Sequence, residues 1–369
     1  MRSLSDTVAR LKRLRPALPY AGPTSARLRR FDGFGQNPGQ LNGWIYTPES
    51  IAPEAPLVVV LHGCTQNAAA YDESSGWSRL ADQHGFVVLY PEQQRSNNAN
   101  LCFNWFSAED AARGKGEALS IREMVAAVQV RLGTHLQRVF VTGLSAGGAM
   151  AATMLATYPD VFAGGAVIAG LPFGVAQSIP EAFDRMRGHD SRDSSRLASL
   201  VRAASNHSGE WPTVSVWHGT ADATVDRSNA SALVEQWRLL QGVPRAPSET
   251  DLVHGYPHSV WRDARGREVI EEYSITGLGH GTPLDTHGSG HGEKIGPFML
   301  EAGISSTRLI GRFWGILPEQ AHVPRFIVRS AQPEPTAPHQ RPTNGPAWSS
   351  GGGIEETIAR AFRSAGLMK

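Results

Sequence analysis

Cysteine is nearly absent from this sequence: Cys64 and Cys102 are the only two in 369 residues. Two thiols can neither complete a structural zinc site nor staple a fold together, so the core has to come from apolar burial. Net charge is lacking too, since Lys+Arg 35 against Asp+Glu 34 leaves +1. That balance removes the electrostatic ground for a nucleic-acid or anionic-membrane partner. No unbroken apolar run is long enough to span a bilayer. At the N-terminus Arg2, Arg10, Lys12, Arg13 and Arg15 alternate with Leu4, Val8, Leu11 and Leu14. This stretch reads as a short basic amphipathic helix with no apolar h-region or cleavage-site pattern, hence not as a signal peptide, and the default compartment is cytoplasmic. There is no internal repeat.

What is present is 41% hydrophobic and 19% charged residues, enough to bury one large α/β domain with appendages. Residues 41–48 alternate as a strand. Residues 57–61 form a continuous apolar run, the pattern of a strand buried on both faces, and 86–90, 138–142, 165–169, 213–217 and 269–275 read as further strands rich in β-branched and apolar residues. Helical spacing over 71–84, 117–132, 229–240 and 304–314 alternates with them. The expected fold class is therefore α/β, a mostly parallel doubly wound sheet with helices on both faces. Residues 1–40 read as a poorly determined basic lead-in and 41–317 as the main α/β domain. Within it, 171–211 is an insertion that reads either as a partial cover over a cleft or as a surface excursion. Residues 318–353 form a Pro/Gly/Ser-rich linker, and 354–369 an amphipathic C-terminal helix.

The stretch that organises the chemistry is Gly143-Leu144-Ser145-Ala146-Gly147, between a β-branched run and an Ala-rich helical pattern. Strand, sharp turn and helix make a G-x-S-x-G elbow, in which a strained backbone projects the serine hydroxyl into a cleft. The following helix aims free N–H groups at the same point. A chance glycine-rich turn is the plainer explanation, and the strand and helix context argues against it.

A serine hydroxyl needs a base, and the base needs a carboxylate to hold its tautomer. In doubly wound sheets such groups sit at the carboxyl ends of strands. Asp222 follows the run ending at Trp217, and His280 follows the run ending at Ile275. Asp226 is the competing acid, although its place beside the next helix suits a capping role. His254 and His258 precede the last strand, His287 and His291 lie in a glycine-rich loop, and His218 reads as a core or supporting histidine. The histidines between 254 and 291 match no metal-binding spacing. Two backbone donors complete an oxyanion hole: Ala146, next after the nucleophile, and Cys64, in the turn after the 57–61 run.

The long connection 92–116 carries Cys102-Phe103-Asn104-Trp105-Phe106. Trp105, with Phe103 or Phe106, is expected to line the acyl side of the cleft, or else to plug the loop onto the sheet. Cys64 and Cys102 each leave the carboxyl end of a buried strand. They are expected to lie close enough for a disulfide, with two reduced apolar thiols as the alternative.

These motifs together resemble the polyhydroxybutyrate depolymerase-like esterases of the α/β-hydrolase superfamily. The resemblance runs from about Gly39 to Leu317. It is carried by Leu61-His-Gly-Cys-Thr-Gln66, Cys102-Phe-Asn-Trp-Phe106, Arg113-Gly-Lys-Gly-Glu117, Gly143-Leu-Ser-Ala-Gly147, Trp217-His-Gly-Thr-Ala-Asp222 and Gly277-Leu-Gly-His-Gly281. It implies Ser145, Asp222 and His280 as triad and hydrolysis of short hydroxyalkanoate or other acyl esters without a cofactor. For many members it also implies an extracellular location. The resulting expectation is a serine esterase working through an acyl-enzyme on small or oligomeric esters, with no nucleic-acid partner. Esterases on acetylated or feruloylated carbohydrate, a serine peptidase and a non-catalytic binding protein are the alternatives.

Overall fold

The continuous apolar runs become strands because both faces of the sheet they form are covered. The computed structural model describes residues 26–189, 193–288, 290 and 292–318. The chain opens with strands β1 (Arg29–Arg30), β2 (Asn42–Tyr46) and β3 (Leu57–Leu61), then helices α1 (Ala68–Ser75) and α2 (Trp77–His84). Strand β4 (Val87–Glu92), helix α3 (Gly116–Leu132), strand β5 (Val139–Leu144), helix α4 (Ala146–Thr157) and strand β6 (Gly164–Ile168) follow. Helices α5 (Ile179–Met186) and α6 (Ser194–Ala203) precede β7 (Thr213–Gly219) and α7 (Ser228–Gln241). The last elements are β8 (Glu249–Val253), β9 (Tyr256–Arg262), β10 (Glu268–Ile275), β11 (Thr282–Leu284), β12 (Met299–Glu301) and α8 (Ser306–Phe313).

Ten strands form one sheet in the order β1-β2-β4-β3-β5-β6-β7-β10-β9-β8. Its centre, from β4 to β10, is parallel, and antiparallel strands finish both edges. Side chains alternate across it as a pleated strand requires. Leu57, Val59 and Leu61 join the core beneath α3, α4, α6 and α7, whereas Val58 and Val60 join the one beneath α1, α2 and α8. This two-sided burial is why β3 reads as an unbroken apolar run.

Several expectations change in the structure. The lead-in does not extend to residue 40, because Arg29 and Arg30 pair with Ile45 and Trp44, and Leu28, Phe31 and Phe34 are buried. The domain therefore begins upstream of residue 41. The helical pattern over 71–84 is two helices, broken at Gly76, which caps the first in the left-handed conformation with φ 73°. The hairpin β8–β9 lies between the 229–240 helix and the last strand, where no element is assigned from sequence, and turns through His254 and Gly255, both at positive φ. The expected linker and C-terminal helix, the basic N-terminal helix and His291 lie outside the described residues. Among the described residues no helix is long and apolar enough to cross a membrane.

Candidate active site

The strand ends bring the site together. Ser145 follows β5 at φ 57° and ψ −118°, a strained backbone for any residue with a side chain. The glycines of the elbow are needed for space. A Cβ at Gly143 would collide with the Gly147 carbonyl, and one at Gly147 with the carbonyls of Leu61 and His62. The acid and base turns meet because β7 and β10 are parallel neighbours in register, Gly219 opposite Ile275. Thr220 and Ala221 then donate their N–H groups to the carbonyls of Ile275 and Leu278, both at 3.0 Å.

Ser145 Oγ lies 2.9 Å from His280 Nε2, and His280 Nδ1 lies 2.7 Å from Asp222 Oδ2. The other Asp222 oxygen accepts the N–H groups of Thr224 at 2.8 Å and Val225 at 2.9 Å. Burial by itself would raise the Asp222 carboxyl, but the hydrogen bond and charge of His280 and the Val225 N–H hold it below the ordinary carboxylate value. With the carboxylate ionised and accepting at Nδ1, the His280 proton sits on Nδ1 and leaves Nε2 to accept from the serine. His218 supports this turn. Its Nε2 donates to the Val225 carbonyl at 2.8 Å and stands 3.5 Å from Asp222 Oδ2. Burial holds the His218 ring below its usual imidazole value, so it braces the turn as a neutral group.

The competing residues lie elsewhere. Asp226 is exposed and accepts the Ser228 N–H at 2.8 Å, a helix-start contact. His254 and His287 are exposed, and His258 is buried between Asp251 at 2.8 Å and Glu271 at 3.2 Å.

Ala146 is the first residue of α4, so its N–H has no carbonyl four residues back to bond. Among the described residues the Cys64 N–H likewise has no acceptor, whereas its neighbours do: Gly63 N donates to Gln66 Oε1 at 2.8 Å and Thr65 N to Asn100 O at 2.7 Å. Both open donors belong to residues that line the same cleft as Ser145.

That cleft has a volume of about 130 Å³ and is mostly apolar. Trp105 and Phe106 both line it, and Trp105 is also packed into the core at 8% exposure. The two expectations for Trp105, cleft wall and plug, therefore describe the same side chain. Phe103 does not reach the cleft. It is fully buried and packs against the His62 ring at 5.1 Å, which holds it on the core side of the loop. Cys64 and Cys102 are joined as a disulfide, with Cα atoms 4.2 Å apart.

Sequence reasoning did not single out the groups that hold these loops. His62 donates from Nδ1 to the Gly63 carbonyl at 2.8 Å and accepts at Nε2 from Gln93 N at 3.1 Å. Gln66 reaches the Pro297 carbonyl at 2.8 Å, tying the Cys64 turn to the Phe298 loop. Buried Glu117 accepts four N–H groups: from Gln93, Asn97 and the Asn104 side chain on Oε1, and from the Asn104 backbone on Oε2. Burial and the nearby Asp110 charge nevertheless push its carboxyl up to about 8. The family motifs contain His62, Gln66 and Glu117, but nothing in their local pattern marks them as a scaffold.

Residues 41–249 match the family described as esterase PHB depolymerase. The chain belongs to that family. Poly(3-hydroxyalkanoate) depolymerase C of Paucimonas lemoignei is 44% identical over 315 residues, covering 82% of this chain and 76% of that one. Feruloyl esterase B of Talaromyces stipitatus is 30% identical over 273 residues, covering 71% and 74%. Among solved structures, the acetyl xylan esterase from Aspergillus awamori has a TM-score of 0.68 at 26% identity and covers 79% of this chain and 99% of its own. The fold is that of the α/β-hydrolase esterases, and this member of the PHB depolymerase family is a carboxylic ester hydrolase whose substrate is an ester.

Proposed function

We propose that the protein hydrolyses short 3-hydroxyalkanoate esters, Ser145 being the nucleophile, His280 the general base and acid, and Asp222 its carboxylate partner. The observation that carries this reading is the continuous contact from Ser145 Oγ through His280 to Asp222 at 2.9 and 2.7 Å. Ser145 Oγ attacks the acyl carbon while its proton passes to His280 Nε2, and the charge on the former carbonyl oxygen is met by the Cys64 and Ala146 N–H groups. The tetrahedral intermediate collapses, the alkoxide leaves with the proton held at Nε2, and water repeats the sequence on the acyl-enzyme. The substrate class rests on the 44% identity to a poly(3-hydroxyalkanoate) depolymerase.

The test is an assay of 3-hydroxybutyrate oligomers beside acetylated xylan and methyl ferulate, with wild-type protein and Ser145→Ala. Hydroxybutyrate oligomers are expected to have the highest kcat/KM, with turnover lost by several orders of magnitude in the variant. Higher kcat/KM on xylan acetate or ferulate would assign the carbohydrate-ester reading that the relatives at 30% and 31% identity suggest.

A further inference from the structure

Helix α5 presents Ile179, Ala182, Phe183 and Met186 to the cleft. Their spacing of three, four and seven residues is one face of a helix, the face that normally packs into a core. Here it borders a cavity as well as the core. Ala182 is buried, whereas Ile179, Phe183 and Met186 are only half-buried. Ala182 and Met186 also touch the main core, and polar contacts fix the back and ends of the helix. Arg185 donates to the carbonyls of Val175 at 3.2 Å and His189 at 2.9 Å. Asn229 Nδ2 bonds the Arg185 carbonyl at 2.9 Å, Asp226 N bonds the Met186 carbonyl at 2.7 Å, and Ser178 caps the first turn. An apolar stripe anchored at its back and ends, facing a cavity beside a nucleophile, gains its burial when an apolar group of the substrate fills that cavity.

We propose that this stripe is the acyl-chain ruler of the enzyme, with Ala182 as the position that sets depth; the proposal rests on Ser145 being the nucleophile. The leaving alcohol must lie at His280 Nε2, which donates its proton, and Phe298 packs edge-on against that ring at 6.0 Å. Phe298 therefore flanks the alcohol, and the acyl chain takes the apolar wall made by α5, Trp105 and Leu171. The whole cleft, alcohol side included, has a volume of about 130 Å³, below the ~150 Å³ apolar cavity that admits benzene, so its acyl side admits only a short chain. A short hydroxyalkanoyl unit fits this space and a feruloyl group overfills it.

The experiment measures kcat/KM of the full chain on p-nitrophenyl esters from acetate to octanoate. Wild-type kcat/KM is expected to rise about fourfold per methylene while the chain is being buried, and to fall by octanoate. Ala182→Phe is expected to lose about tenfold or more on butanoate and hexanoate relative to acetate. Phe183→Ala, which opens the same wall, is expected to raise octanoate about fivefold or more relative to acetate. Asp184→Asn, on the exposed face of the helix, is expected to leave the profile unchanged. If Ala182→Phe does not fold, as judged by its melting temperature, Phe183→Ala carries the test alone. An unaltered profile in the folded variants, with activity still abolished by Ser145→Ala, overturns the ruler and leaves the nucleophile standing. Hydrolysis that survives Ser145→Ala overturns both.

Discussion

Thr65 donates its backbone N–H to the Asn100 carbonyl at 2.7 Å, clipping the turn that carries Cys64 to the loop that carries Trp105. Both strands of the clip are strained: Thr65 has φ 64° and Leu101 φ 56°, a region costly for side chains branched or bulky. The Cys64–Cys102 disulfide sits beside this hydrogen bond and holds the same two loops. Strain of this kind persists only where the surroundings over-determine it, and here two neighbouring links do so. Reduction, or the pair Cys64→Ser with Cys102→Ser, is therefore expected to lower kcat more than it changes KM. Stability is expected to fall by about 4 kcal/mol on the chain-entropy account of the closed loop. Kinetics and melting with and without dithiothreitol check this, and an unaltered kcat would detach the disulfide from the oxyanion donors.

The acid is the next assignment to test. Asp222→Asn keeps the shape but turns a donor toward His280 Nδ1, so kcat is expected to fall by about 10⁴-fold. Asp226→Asn retains an acceptor for the Ser228 N–H and is expected to stay within about threefold of wild type. The reverse order on p-nitrophenyl butanoate would move the acid to Asp226.

Trp105 serves the cleft and the core at once, and its two roles separate by comparison with Phe106. Trp105→Ala is expected to raise KM for butanoyl and longer esters and also to cost about 3 to 5 kcal/mol of stability, since a buried aromatic leaves a cavity. Phe106, half-buried on the same wall, is expected to alter KM on truncation with a much smaller change in melting temperature. A Trp105→Ala protein that melts lower but keeps its KM would confine this side chain to packing.

Glu117 makes stability depend on pH. Its carboxyl is pushed from 4.5 up to about 8 in the folded protein by burial first and the Asp110 charge second. The raised value means that the folded state keeps a proton which the unfolded chain releases above about 4.5. Its contribution is thus complete below that pH and is lost as pH rises toward about 8, at no more than about 1.4 kcal/mol per pH unit. Wild-type stability relative to Glu117→Gln is expected to decline across this window and level off above it. Denaturant midpoints for both proteins at pH 5, 6.5 and 8 measure this, and parallel curves would show that Glu117 is ionised throughout, held by its four N–H donors.

Local pattern alone decided a good deal of this protein. The runs that became β3, β5 and β7 are short, apolar and bounded by turns, and strands covered on both faces need nothing more to be recognised. The elbow was equally legible, because a serine forced into φ 57° between Gly143 and Gly147 leaves a five-residue trace. Asp222 and His280 could be named because chain order and strand ends restrict where an acid and a base can stand. The rest depends on what meets in space. Phe103 and Trp105 are two residues apart in a loop of the same composition, and only the packing of His62 sends one into the core and leaves the other at the cleft. The stripe on α5 has the period of any core-facing helix, so its sequence cannot tell a neighbouring helix from an empty cavity. Glu117 lies 28 residues before Ser145 and looks like a helix-start carboxylate. Its burial comes from four donors that converge on it only after folding, because burial is a property of the assembled neighbours and not of the residue.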